Sequence, residues 1–173
     1  MTLRIRRADA GDADALSAIS RDTFVETFGH LYKPEDLAWH LDFSYAPEKY
    51  RDALDEQGAV AWLLEDEAGG VQGYAFAGPC GLPHEDVQAG DLELKRLYLR
   101  RSLQNGGWGA KLFAEAEHWM RRNGPAALWI GVWSENGGAQ RFYARHGYEK
   151  VGEYLYPVGE ARDLEFIFRK VLA

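Results

Sequence analysis

Apolar and polar positions alternate at the start of the chain, where Leu3 and Ile5 stand between charges and predict a first strand. Asp9 is a candidate N-cap, and helical spacing then runs from about Ala10 into Phe24. Phe24, Phe28 and Tyr32 recur at the same spacing; Pro34 opens a short helix carrying Trp39, and Pro47 another that reaches Leu54. Residues 59–65 and 71–77 flank Asp66-Glu67-Ala68-Gly69-Gly70, the pattern of a hairpin, and 78–90 read as a loop. Between 91 and 99 the alternation changes phase, with Leu92 and Leu94 in one phase and Leu97 and Leu99 in the other. One extra residue near Lys95-Arg96, a β-bulge, returns both pairs to the core face; an irregular strand is the alternative.

Past Gly106-Gly107-Trp108-Gly109, Leu112, Phe113, Ala116, Trp119 and Met120 form one stripe of a helix that ends at Asn123-Gly124-Pro125. The apolar run 126–133 follows as a strand. Strand, Gly-rich turn, amphipathic helix and buried strand make a βαβ unit, so the two strands are expected to be parallel neighbours. A helix over roughly 137–145 closes at His146-Gly147, and strands are expected near 148–156 and 163–171. No linker, repeat or low-complexity stretch divides the 173 residues, which predicts one domain over 1–173.

With 46% hydrophobic and 13% aromatic residues, a chain of this length buries roughly 70% of its unfolded surface and needs neither disulfides nor a structural metal. A net charge of −7 argues against nucleic acid and anionic membranes as partners. That charge is uneven. Residues 1–90 carry 7 basic against 17 acidic side chains, whereas residues 91–173 carry 13 against 10. Lys95 to Lys111 holds five basic residues and no acidic one, which suggests either an anion site or a solvated basic face. The lone Cys80 has no disulfide partner, the first residues do not form an apolar signal segment, and no apolar run approaches a membrane span. Together these favour a cytoplasmic protein. The five histidines lack ligand spacing, so no metal is expected.

Gln104-Asn105-Gly106-Gly107-Trp108-Gly109 sits where a strand gives way to a helix, a place where open amides and the helix dipole favour an anion. It fits neither the P-loop, which would need Ser or Thr after Lys, nor the dinucleotide fingerprint, which would need glycine in place of Leu112. Preceded by Leu94-Lys95-Arg96-Leu97-Tyr98-Leu99, it resembles the acetyl-CoA motif of the GCN5-related N-acetyltransferases (GNAT), Gln/Arg-x-x-Gly-x-Gly/Ala after a bulged strand. A second block, Asn136-Gly137-Gly138-Ala139-Gln140-Arg141-Phe142-Tyr143-Ala144-Arg145-His146-Gly147-Tyr148, is similar to the family's Asn-x-x-Ala-x-x-Phe-Tyr-x-x-x-Gly-Phe segment. Residues 23–29 and 32–37 resemble the bacterial spermidine/spermine acetyltransferase branch, which points to a polyamine acceptor.

The resemblance implies an α/β (α+β) fold: a single mixed, largely antiparallel twisted sheet, flanked by helices, with a central parallel pair splayed at the bulge. It implies acetyl-CoA as co-substrate. Leu97, Tyr98 and Leu99 would pair with the pantetheine arm, and the amides of Gln104, Asn105, Gly106, Gly107, Trp108, Gly109 and Ala110 would wrap the pyrophosphate. Asn136 would bond the pantetheine, and Tyr143 would lie by the thioester sulfur as general acid. The family often has Lys or Arg where Gly106 stands; Arg100, Arg101 or Arg145 could supply the missing phosphate contact.

An alkylammonium of pKa ~10.4 is neutral in about one molecule in 2,500 at pH 7, roughly 4.6 kcal/mol uphill, so the acceptor needs a base. Glu93, just before the bulge, is the first candidate, with an exposed carboxylate paired to Lys95 or Arg96 as its bland alternative. Glu26, Phe28 and Tyr32 are candidates for binding the amine, although Phe24, Phe28 and Tyr32 also suit a core. Direct transfer without a covalent enzyme intermediate is expected, because Cys80 lies outside both motifs. The alternatives to a small-amine acetyltransferase are a CoA-sensing or partner-binding domain and a protein or peptide N-acetyltransferase. The oligomeric state is left open, a homodimer included.

Overall fold

The computed structural model describes residues 2–172. Strand β1 (Leu3–Arg7) leads to a turn in which the Asp9 carboxylate accepts the Gly11 amide at 2.8 Å and the Asp12 carboxylate accepts the Asp9 amide at 2.9 Å. This closes a single 3₁₀ turn that hands over to helix α1 (Ala13–Phe28). The cap therefore stands where the sequence put it. The helix runs four residues past Phe24, so Phe28 is helical, whereas Tyr32 follows a second 3₁₀ turn. Helices α2 (Pro34–Ser44) and α3 (Pro47–Glu56) both open on proline, whose missing N–H and fixed φ suit a first turn.

Strands β2 (Val60–Asp66) and β3 (Val71–Pro79) form the expected hairpin, and β4 (Leu92–Leu99), β5 (Ala127–Trp133), β6 (Glu149–Val158) and β7 (Ala161–Val171) complete one seven-stranded sheet. Its order is β1-β2-β3-β4-β5-β7-β6, antiparallel everywhere except at β4–β5. Alternation sorts the core into two layers. Leu92, Leu94, Leu128 and Ile130 face helices α4 (Trp108–Arg122) and α5 (Gly137–Arg145), while Ala61, Leu63, Tyr74 and Phe76 face α1 and α3. A fully buried side chain such as Leu63, Leu64 or Leu128 contributes about 2 kcal/mol.

The strand that changes phase is bulged. Phe76 lies opposite Arg96 and Ala77 opposite Leu94, so Lys95 is the extra residue. Leu92, Leu94, Leu97 and Leu99 consequently join one cluster on the α4 face, and Arg96 and Tyr98 turn toward α1. β4 and β5 pair only at Leu92–Leu94 with Leu128–Ile130, then part. Buried Asp91 clamps the closed end: its carboxylate accepts the Trp129 indole N–H at 2.9 Å and the Ala127 and Gln88 amides at 3.0 Å. Among the described residues no helix is long and apolar enough to cross a membrane, and no group of three or more His, Cys, Asp or Glu side chains could hold a metal ion.

Candidate active site

The turn after β4 is built to leave amides open. Asn105 (φ 67°) and Gly107 (φ 85°) adopt left-handed backbone, and Gly107 caps α4 without any side-chain bond. Of the amides from Gln104 to Lys111, Gln104 bonds the Arg101 carbonyl and Lys111 the Gly107 carbonyl, each at 3.2 Å. The amides of Asn105, Gly106, Gly107, Trp108, Gly109 and Ala110 meet no backbone or side-chain acceptor among the described residues. A row of unpaired N–H groups at the N-terminus of a helix is an anion cradle. No basic side chain stands at Gly106. Arg100 is engaged by Asp22 at 3.1 Å and Arg101 by the main-chain carbonyl of Glu26, while exposed Arg145 lies beside the Phe142 ring.

Beyond the bulge, Leu97, Tyr98 and Leu99 pair with Ala75, Tyr74 and Gly73 of β3 and with nothing on the β5 side. That free backbone edge lines the gap. Tyr143 of α5 is buried on the α4 face among Phe113, Phe142 and Tyr148, with ring centroids 5.4–6.1 Å away. Burial pushes its phenol well above the ordinary range, and its hydroxyl has no hydrogen-bond partner among the described residues. Asn136 caps α5 with Oδ1, which accepts the Ala139 amide at 3.1 Å and leaves its NH₂ group free.

The α1 face of the gap holds the remaining candidates. Glu93 is buried, not exposed, and its Oε1 accepts the Gly81 amide at 3.0 Å and the Lys95 ammonium at 3.2 Å. Phe28 meets Tyr98 of β4 and Trp133 of β5 edge-on, at 6.4 and 5.4 Å, and so spans the parted strands. Tyr32 stacks on Phe24 at 6.0 Å and donates its hydroxyl to the Asp163 carboxylate. Glu26 stands apart from them, beside the turn after β4, where Oε2 accepts the Arg101 amide at 3.4 Å and Oε1 is buried without a partner. Cys80 is half-buried, with its thiol pushed up to about 11 mainly by burial.

Two charged groups on this face escaped the sequence reading. Arg96 packs against the Tyr45 ring at 4.7 Å and donates to the Tyr50 hydroxyl at 2.8 Å and the Ser44 carbonyl at 3.4 Å, yet no carboxylate pairs with it among the described residues. The phase change that betrayed the bulge was the available signal, since it turns Arg96 inward. Glu165 of β7 lies in register with Trp133 on one side and Tyr154 on the other. Burial, with help from Asp163, pushes its carboxyl up to about 7. No local pattern marks it.

Residues 14–148 match the model of the acetyltransferase (GNAT) family. The chain belongs to the GNAT acetyltransferases. It is 34% identical over 170 residues to an uncharacterised N-acetyltransferase in the pepI 3′ region of Lactobacillus delbrueckii subsp. lactis, covering 98% of each chain. It is 23% identical over 149 residues to a spermidine N(1)-acetyltransferase of Thermoplasma acidophilum, covering 86% of this chain and 89% of the other. In fold it is similar to the PaiA N-acetyltransferase of T. acidophilum, solved in complex with coenzyme A, with a TM-score of 0.75 and 20% identity over 99% of this chain and 100% of that one. The GNAT family and fold expected from the two motifs are thus the family and fold found. Within the GNAT sheet, the bulge at Lys95 and the short β4–β5 pairing leave these two strands unpaired beyond Leu94 and Ile130.

Proposed function

We propose that the chain is a cytoplasmic N-acetyltransferase that moves acetyl from acetyl-CoA directly to a primary amine of a small cationic acceptor, with a polyamine as the leading candidate. The parting of β4 and β5 beside the open amides of residues 105–110 carries this reading. The cradle suits a pyrophosphate, and the free edge of Leu97, Tyr98 and Leu99 suits an extended amide-bearing arm. The free NH₂ of Asn136 adds a donor on the same side. Bound there, acetyl-CoA supplies a thioester carbonyl open to attack. Tyr143, kept protonated by burial, donates a hydrogen bond to the departing sulfur. The thiol of Cys80 stays protonated at neutral pH and so is a poor nucleophile, which favours direct transfer. Phe28 and Tyr32 form an aromatic wall for the cation, and the T. acidophilum spermidine enzyme among the relatives supports a polyamine.

One observation favours a second reading. A half-buried Arg96 with no carboxylate fits an acceptor that brings its own, such as a peptide or amino acid. CoA release measured with spermidine, an aminoglycoside, free amino acids and short peptides separates the two. Turnover with spermidine supports the first, and turnover confined to carboxylate-bearing amines supports the second. Binding of acetyl-CoA without turnover on any of them would leave a CoA-sensing domain.

A further inference from the structure

Glu165 is uncommitted in a place where its neighbours are not. Asp163 accepts from the Tyr32 hydroxyl, and Glu93 accepts from Gly81 and Lys95. Among the described residues no hydrogen bond or ion pair holds the half-buried carboxylate of Glu165. Trp133 of β5, its register partner, touches Phe28, which in turn reaches Tyr98 of β4, so Glu165 stands one strand beyond the open end of the gap, level with Trp133. The titratable groups facing it are Asp163 on β7, Tyr154 and Tyr156 on β6, Tyr98 on β4 and Tyr32 after α1. Its charge is felt by all four phenols. Arg96 acts on Tyr98 and Tyr156 from another side. A carboxylate among tyrosine rings is a seat for an ammonium, through charge and through the ring faces together.

We infer that Glu165 receives the acceptor's ammonium and takes its proton, so that it, rather than Glu93, is the base of the reaction. The inference rests on the amine N-acetylation proposed above. Of the three ammonium protons, one passes to Glu165 and from there to solvent. The freed nitrogen pair forms the N–C bond as the C–S bond breaks. A second proton ends on the sulfur, and the third remains on the amide nitrogen. A carboxyl titrating near 7 is matched to such a transfer at neutral pH, where a base has both the right charge state and enough strength. Glu93 has Oε1 occupied by two donors and is assigned to fastening the bulge.

The test combines a pH profile with a direct titration. For an amine that the wild type acetylates, kcat/KM should fall below a limb near pH 7. Glu165→Gln should lower it by about 100-fold or more and remove the limb, whereas Glu93→Gln should retain the limb whatever its effect on rate. Glu165→Asp should restore part of the activity with the limb displaced. Acetyl-CoA should still raise the Tm of Glu165→Gln, which separates lost chemistry from lost folding. Carboxyl NMR of the free protein should show Glu165 titrating near 7. A Glu165→Gln enzyme with wild-type rate and limb, or a Glu165 titrating in the ordinary carboxylate range, overturns the assignment while amine acetylation stands. A wild type that acetylates no amine removes that reading and this inference together.

Discussion

For Tyr143, proposed here as the acid, burial sets the form that its catalysis would take. A phenol held above its ordinary pKa of ~10 cannot fully hand its proton to a thiolate whose conjugate acid lies near 8.5, so its contribution is a hydrogen bond that strengthens as charge builds on sulfur. Tyr143→Phe should lower kcat by about 100-fold with acetyl-CoA affinity changed little, as read by steady-state kinetics beside calorimetric binding; an unchanged kcat rejects the role. His40 makes a stability prediction. It is 1% exposed, its Nδ1 lies 3.2 Å from Ser44 Oγ, and Nε2 is buried without a partner. Burial first, then the charge of Arg96, hold it down to about 4, while Phe24, Tyr45 and Tyr156 pack around the ring. Between pH 6.5 and 4 the unfolded chain binds a proton that the folded chain refuses, so stability falls as pH falls, by about 3 kcal/mol in all. Glu165 has the opposite sign, with a contribution full below its unfolded pKa and lost as pH rises through about 7. In His40→Leu the urea midpoint at pH 4.5 should therefore rise relative to that at pH 7, compared with the same difference in the wild type, Glu165 being common to both. An equally steep acid loss in the variant would refute the assignment.

The parallel pair β4–β5 is held at one end and free at the other, and Asp91 is the hold. Asp91→Ala leaves the buried Trp129 indole and two amides without an acceptor and should cost about 3 kcal/mol. Asp91→Asn, which keeps acceptor oxygen, should cost less; equal losses measured by denaturant unfolding would show that the clamp is not what matters. How much of this was readable in advance depends on whether a signal was local. The opposed phases of Leu92/Leu94 and Leu97/Leu99 lie within one strand, and they placed the bulge near Lys95-Arg96, where the register shift is found. The glycines before α4 and the Asn136 to Gly147 block are equally local, and they carried the family. Glu165 was unreadable for the converse reason. The segment was expected only as a strand near 163–171, and the sequence does not say that β7 inserts between β5 and β6 and so brings Glu165 between Trp133 and Tyr154. Arg96 was misread as part of a basic run, although the bulge beside it implied an inward turn.

The uneven charge of the chain acquires a geometry once the sheet is assembled. The helices of the acidic stretch 1–90, α1 to α3, include those packed on one face of the sheet, and the helices of the basic stretch 91–173, α4 and α5, pack on the other. On the proposed reading, an anionic donor and a cationic acceptor would approach from opposite sides and meet where β4 and β5 part. The two approaches respond to salt because exposed charges are screened within a Debye length of ~10 Å at 0.1 M, falling to ~3 Å at 1 M. Acetyl-CoA at about 100 times its Kd should stabilise the folded chain by about 2.7 kcal/mol, which for a protein of this length raises the Tm by roughly 5–10 °C. At a fixed acetyl-CoA concentration the rise should shrink between 50 mM and 1 M NaCl, since the proposed cradle at Asn105 to Ala110 would hold an anion by its open amides and the helix dipole. Gly107→Ala should shrink it as well. No atom stands within 4 Å of a Cβ placed there, so the cost is the left-handed φ of 85°, about 1 kcal/mol, and the loss falls on the cradle's shape. A Tm rise indifferent both to salt and to Gly107→Ala would move the cofactor away from the N-terminus of α4.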